Sequence, residues 1–256
     1  MKIMVLPDTQ AKPGVPNEHL MWAGKHAADK KPDIIVHIGD HFDMPSLSSY
    51  DKGKKSFEGR RYKEDIKAGQ ESMRMFMQPI WDEQARQVQN KKKVWQPRLV
   101  FTLGNHEHRI MRAVECQAEL EGLMSYDDLG LEEMGWEVHG FLEVVIIEGI
   151  AFSHYFTSGV MGRPVPNARL MLQKKGMSCI MGHVQLRDIA YAYRADGKQM
   201  TGLFVGTFYD HKEDYLGPQG NVGKHGIYLL HNVADGEFDE CYIPIDYLKE
   251  KYNATN

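Results

Sequence analysis

Four short stretches concentrate carboxylate, imidazole and amide side chains. They are "DTQ" at 8–10, "GDHFD" at 39–43, "GNHE" at 104–107 and "GHVQ" at 182–185; His154 in "AFSHYF" is a fifth point of the same kind. Asp, His, Asn and Gln offer oxygen and nitrogen lone pairs of the sort that hold divalent cations. Scattered from residue 8 to residue 185, they form one site only if folding gathers them. A glycine stands just before Asp40, Asn105 and His183, which suits tight turns that push side chain and backbone toward a ligand.

The surrounding elements supply the means. Residues 2–6 (KIMVL) and 33–38 (DIIVHI) are short β-branched apolar runs, each delivering an Asp at or just after its end, and 18–30 between them reads as a helix. A third such run, 98–103 (RLVFTL), opens into "GNHEHR" and a helix over about 106–122. In sheets built from such crossovers, ligands collect beyond the carboxyl ends of the strands. The second half changes character: 137–147, 149–154, 177–182, 186–194, 200–205, 226–233 and 238–243 read as strands, with one helix near 166–175. The pattern predicts an α/β, α+β-like four-layer fold, with two packed mixed β-sheets covered by the N-terminal helices. One domain is expected over 1–256, with a helical and basic insertion at about 44–97. That insertion holds the polar loop "SYDKGKKSFEGRRYK" and a long helical stretch containing "MRMFMQPIW".

Composition narrows the function classes. Hydrophobic residues make up 42% and charged residues 26%, with net charge −4, which excludes a wholly basic nucleic-acid binder and leaves room for a local basic patch. The three cysteines, Cys116, Cys179 and Cys241, are odd in number and far apart, so neither a disulfide framework nor a Cys-rich zinc site fits. The expected setting is the reducing cytoplasm. No apolar run approaches the ~20 residues that span a bilayer, and "MKIMVLPD" reaches Pro7 and Asp8 too soon for a signal peptide.

The ordered set of motifs resembles the calcineurin-like metallophosphoesterases, whose blocks run D-x-H, G-D-x-x-D, G-N-H-[DE], an isolated His, then G-H-x-H. The resemblance covers about residues 3–206 and implies the metallophosphoesterase fold and phosphoester hydrolysis by a metal-bound hydroxide. Residue by residue, it implies that Asp40 bridges two divalent cations and that Asp8 belongs to the first. Asn105, His154 and His183 complete the second. His106 matches the family's acid or phosphate-contacting histidine, and Asp43 the carboxylate that orients it. Glu107 then supports the ligands without being one. Two cations ~3.5–4 Å apart can clamp the oxygens of an anionic phosphoester and generate a nucleophile from water at neutral pH. A helix starting near 106 would add its positive end to the phosphate site.

The chain departs from the pattern at two places, Gln10 and Gln185, where the family carries His. Both belong to the first cation, and the second cation's set is intact, which favours retuning over decay. With Asp8, Asp40, Gln10 and Gln185 the first position would have oxygen donors only, suiting Mn²⁺, Mg²⁺ or Ca²⁺; the second would take Mn²⁺, Fe²⁺ or Zn²⁺, with Mn²⁺ the first choice overall. Blander readings stand beside these. Asp8 and Asp40 are residue types that also cap turns after strands, Gln10 and Gln185 could be plain loop residues, and His154 could be a core histidine. His37 reads as packed within its strand, and His41, His108 and His211 as surface or substrate-side residues. The run containing Lys54, Lys55, Arg60 and Arg61, with Lys52 and Lys63, is either a solvated loop or a phosphate-tracking lip whose Tyr50, Phe57 and Tyr62 stack on bases; Arg109 is a further substrate-binding candidate. These features point to a phosphodiesterase or nuclease on nucleotides or nucleic acid. The alternatives are a phosphomonoesterase on a small molecule or phosphoprotein, or a non-catalytic metal-bound nucleic-acid-binding module. Met44 follows Asp43 where protein phosphatases of the superfamily carry arginine, which counts against that activity.

Overall fold

A computed structural model describes residues 1–213 and 223–253. The run KIMVL forms β1 (Ile3–Leu6), buried on both faces. Ile3 and Val5 point into an apolar layer between two sheets, whereas Met4 and Leu6 point to the helical side. This is why the segment reads as a continuous apolar run and not as an alternating one. β2 (Ile34–His37) lies parallel to β1 with Ile3 opposite Ile34, and β3 (Arg98–Thr102) lies parallel to β2. β4 (Glu137–His139) extends that edge. On the other side of β1 lie antiparallel β10 (Gly226–Ala234) and then β11 (Glu237–Pro244), giving the order β11-β10-β1-β2-β3-β4.

The second sheet contains β5 (Val145–Ile147), β6 (Ile150–Phe152), β7 (Cys179–Met181), β8 (Arg187–Tyr193) and β9 (Gln199–Val205) in the order β5-β6-β7-β9-β8. Ile3, Val5, Val36 and Val100 of one sheet meet Ile147, Phe152, Ile180 and Leu203 of the other. α1 (Glu18–Lys30), α2 (Tyr62–Gln89) and α5 (Ile245–Asn253) cover the outer face of the first sheet. α4 (Ala168–Lys175) covers the second through Ala168 and Met171. The four-layer arrangement of two mixed sheets flanked by helices agrees with the fold expected from sequence.

Several elements differ. The strand expected over 137–147 is two strands in different sheets: Leu142 takes φ 66° within a turn closed by Glu143 N–H donating to the Gly140 carbonyl, and the chain crosses there from β4 to β5. The helix expected over 106–122 is only α3 (Arg109–Cys116), because residues 105–108 form a turn drawn back by the Glu107 carboxylate onto the Gly104 amide. The N-terminal helices cover one sheet only, and α5 adds a C-terminal helix that the strand-rich pattern of the second half did not suggest. The stretch read as an insertion has two parts. Residues 48–61 form a mostly exposed loop, but α2 lies against α1 and buries Met73, Phe76, Met77 and Ile80 in the core. Its fit is tight: a Cβ on Gly24 of α1 would come within 2.1 Å of the Phe76 carbonyl oxygen.

Candidate metal centre and active site

The carboxyl ends of β1, β2 and β3 from one sheet meet those of β6 and β7 from the other. Asp8 follows β1 and bridges to Thr207 beyond β9, with Phe208 N–H donating to the Asp8 carbonyl at 2.8 Å. The segments 10–12 and 40–43 then run side by side. Gln10 N–H donates to Asp40 O (3.0 Å), Ala11 N–H to His41 O (2.7 Å) and Asp43 N–H to Ala11 O (3.0 Å). Glu107, fully buried, accepts from the amides of Asp40, His41, Phe42 and Gly104 at 2.7–3.0 Å and so locks the loop after β2 to the loop after β3.

Asp40, His154 and His183 each offer a ligand atom within 4.8 Å of the others. Asn105 Oδ1 lies 3.0 Å from His154 Nε2 and 2.7 Å from His183 Nδ1. Donors bound at roughly 2.0–2.2 Å to one cation lie at about this spacing from each other. His154 Nδ1 donates to the Ile38 carbonyl at 2.8 Å, which leaves the Nε2 lone pair aimed at the cluster, the usual arrangement of a metal-binding imidazole. These residues fit a divalent cation.

The charges point the same way. Burial opposes ionisation of Asp40, yet His106 and His154 outweigh it and hold the carboxyl well below its usual range. Burial also disfavours a charged His154, but Asp40 lifts its pKa to about 9. Asp8, fully buried, is pushed up to about 7 by burial and by the neighbouring charge of Asp40, with His154 opposing. Two buried carboxyls this close call for positive charge. His183 is pushed down to about 4 by burial and by His154, so it is neutral and available as a donor.

Backbone geometry is unusual at the same points. Gln10 (φ 44°), Asp40 (φ 50°), Met44 (φ 49°), His183 (φ 65°) and Gln185 (φ 61°) all occupy the left-handed region that non-glycine residues avoid. The glycines have a reason beyond turning. A Cβ on Gly104 would lie 2.1 Å from Asp40 Oδ1, and one on Gly182 would lie 2.4 Å from Asp8 Oδ1, so each glycine leaves room for a carboxylate from another strand.

Beside the donor set, His106 Nδ1 lies 2.7 Å from Asp43 Oδ1, and its Nε2 lies 3.7 Å from Asp40 Oδ2. The His106 amide donates to Asp40 Oδ1 at 2.9 Å. Burial lowers the imidazole pKa, but the charge of Asp40 and the bond to Asp43 raise it net above the ordinary value. Arg109 sits 3.1 Å from His106 Nε2 through Nη2 and donates to the Asp43 carbonyl at 2.7 Å through Nη1. Gln10 is fully buried next to Asp8, and the Gln185 amide oxygen is 3.5 Å from the Tyr209 hydroxyl.

The other sequence candidates sort differently. Arg60 is committed to Asp51 (2.8 Å) and the Pro45 carbonyl (3.0 Å), and Lys54 to Asp51 (2.8 Å). Lys55 and Arg61 are exposed. Among the described residues none of these four hydrogen-bonds a side chain of the donor set. His41 is not a surface residue: it is fully buried, with Thr9 Oγ1 at 2.6 Å and the Gly69 carbonyl at 2.9 Å. His37 is buried and stacked on Phe101, as its strand position suggested. His108 pairs with the Tyr126 hydroxyl at 2.7 Å, and His211 with Glu213 at 2.5 Å. Sequence reasoning missed Lys12, whose Nζ reaches Asp43 Oδ2 (3.1 Å) and both Glu213 oxygens (2.6 and 2.7 Å). It also missed the aromatic wall of Phe141 and Tyr155, the latter 4.6 Å from the His183 ring. Tyr155 follows His154 in "AFSHYF", whereas Lys12 and Phe141 lie outside the motifs and are brought near by the fold.

Comparison with known proteins bears on the family of the chain. The chain is 24% identical over 252 residues to the Gene 54 protein of Mycobacterium phage L5, covering 92% of this chain and 90% of that protein. It is 26% identical over 222 residues to the Gene 54 protein of Mycobacterium phage D29, covering 82% and 80%. Among the described residues no helix is long and apolar enough to cross a membrane. The calcineurin-like phosphoesterase family matches residues 1–196, and the chain belongs to this family of metal-dependent phosphoester hydrolases.

Proposed function

We propose that the chain hydrolyses phosphodiesters in nucleotides or nucleic acid, using two divalent cations with Mn²⁺ the first choice, in the reducing cytoplasm. The observation that carries the reading is the His106–Asp43 pair placed directly beside the converging donors Asp40, Asn105, His154 and His183. Divalent cations held there would draw charge from the phosphoester oxygens and lower the pKa of water. Asn105, His154 and His183 with Asp40 would hold the second cation, and Asp8, Asp40, Gln10 and Gln185 would hold the first, which Mg²⁺ also suits, as Fe²⁺ or Zn²⁺ suits the second. Asp43 keeps a proton on His106 Nδ1, and the raised pKa of the ring favours a second proton on Nε2, which would pass to the leaving oxygen and leave the neutral Nδ1–H form. Arg109, anchored on the Asp43 carbonyl, presents a guanidinium that can take a phosphate oxygen.

The preference for a diester rests on two flanks. The exposed Tyr50, Lys52, Lys54, Lys55 and Arg61 follow the Asp43 loop directly, and Phe141 with Tyr155 lies beside His183. Cationic side chains track phosphates and aromatic rings stack on bases. The test is a screen of Mg²⁺, Mn²⁺, Ni²⁺ and Zn²⁺ against a monoester, a diester, a cyclic nucleotide and DNA. Turnover of diester and DNA, lost by about 10²-fold or more in His106→Ala with metal content preserved, supports the reading. Turnover of monoesters alone refutes it.

A further inference from the structure

Asp43 is held at both carboxylate oxygens. Oδ1 takes His106 Nδ1 at 2.7 Å, and Oδ2 takes Lys12 Nζ at 3.1 Å. The terminal torsion of an aspartate is soft, so a single bond to His106 would leave the carboxylate free to rock and carry the imidazole with it. Arg109 does not supply the second hold: its guanidinium is 3.9 Å from Oδ1 and bonds the main-chain carbonyl instead. Lys12 is itself fixed at both ends. Its backbone neighbour Ala11 is laddered to His41 and Asp43, and its ammonium sits between Asp43 and the two oxygens of Glu213, a residue only 3% exposed.

We propose that Lys12, anchored by Glu213, is a positioning residue that orients the Asp43 carboxylate and thereby holds His106 with Nδ1–H on Asp43 and Nε2 directed at a leaving oxygen, so that the imidazolium gives up its Nε2 proton and is left as the neutral Nδ1–H ring. The proposal rests on the hydrolase reading above for its chemistry, and on the Lys12–Asp43–His106 geometry alone for its structural half. An ion pair that served only stability would act on every substrate alike. A group that aims the proton donor matters most when the leaving group is a poor one.

The experiment compares two diesters with Mn²⁺, thymidine 5′-(p-nitrophenyl) phosphate, whose phenolate leaves readily, and thymidylyl-thymidine, whose alkoxide does not. Lys12→Met is expected to lower kcat on the dinucleotide by about tenfold or more and on the aryl ester by less than about threefold, with KM within about twofold on both. Lys12→Arg should recover most of the loss, and Lys12→Met should add little to His106→Ala. In the metal-free protein, at a pH high enough for the ring to be neutral, ¹⁵N correlation of His106 should show a single Nδ1–H tautomer, replaced by a mixture in Lys12→Met and in Glu213→Gln. Equal losses on both diesters, a loss confined to KM, full additivity with His106→Ala, or an unchanged tautomer in folded Lys12→Met each overturns the proposal. Wild-type protein that turns over neither diester overturns the diester reading, and the tautomer comparison then decides the role of Lys12 by itself.

Discussion

Gln10 and Gln185 stand where the resemblance leads one to expect His, and as ligands beside Asp8 they would offer amide oxygens in place of imidazole nitrogens, whereas Asn105, His154 and His183 match the pattern. Both glutamines hold left-handed backbone that costs on the order of 1–3 kcal/mol each. Gln10→His combined with Gln185→His should therefore raise Zn²⁺ retention, read as a second zinc equivalent after dialysis; retention equal to wild type would show that the glutamines do not face the cation. Glu107 has a different task. It accepts four backbone amides and cannot be replaced by an amide without turning an N–H toward an N–H. Glu107→Gln should lose about 1–3 kcal/mol of unfolding free energy in urea, together with metal affinity, because the Asp40 and Asn105 loops lose their tie.

At the scale of elements, α2 is a structural member of the site as well as a crossover between β2 and β3. A Cβ on Gly69 would overlap the Phe42 ring at 2.0 Å, and Phe42 lies between His41 and Asp43. The Gly69 carbonyl also accepts from the His41 ring. Gly69→Val should push Phe42 out of its seat and displace Asp43, lowering activity by at least about tenfold and stability by about 1–3 kcal/mol; kinetics and thermal unfolding check both. A helix appended outside the core would tolerate the change. The adjoining loop 48–61 is held mainly by Arg60, through Asp51 and the Pro45 carbonyl, so its exposed lysines can vary without disturbing the metal donors.

Across the whole molecule, buried neutral histidines set the acid limit of stability. His19 is pushed down to about 3 by burial, and His26 and His41 to about 4. Each refuses, when folded, a proton that the unfolded chain takes up below about pH 6.5. The unfolded state then binds more protons, so stability is fully present above pH 6.5 and is lost as the pH falls toward the folded values. For His19, fully buried against Phe208, the slope between those limits is about 1.4 kcal/mol per pH unit. His19→Leu should flatten the dependence of unfolding free energy on pH between 6 and 4 by about that amount, measured in urea on metal-free protein. An unchanged slope would mean that His19 takes up its proton in the folded state.

The sheet-forming runs and the order of the motifs are legible without the fold, because β1, β2 and β3 are local apolar segments whose ends carry Asp8, Asp40 and Asn105 within a few residues. Such signals are short-range and survive without a partner. The tertiary structure alone decided what those ends meet. The split of 137–147 between two sheets turns on one left-handed residue, Leu142. Burial of α2 depends on Gly24 and Gly69 finding Phe76 and Phe42. The contact of Lys12 with Asp43 and Glu213 spans up to 201 residues of chain. A lysine in "AKPG" carries no mark of its partners, since an ion pair is defined by the place of both charges and only the packing of two sheets brings these together.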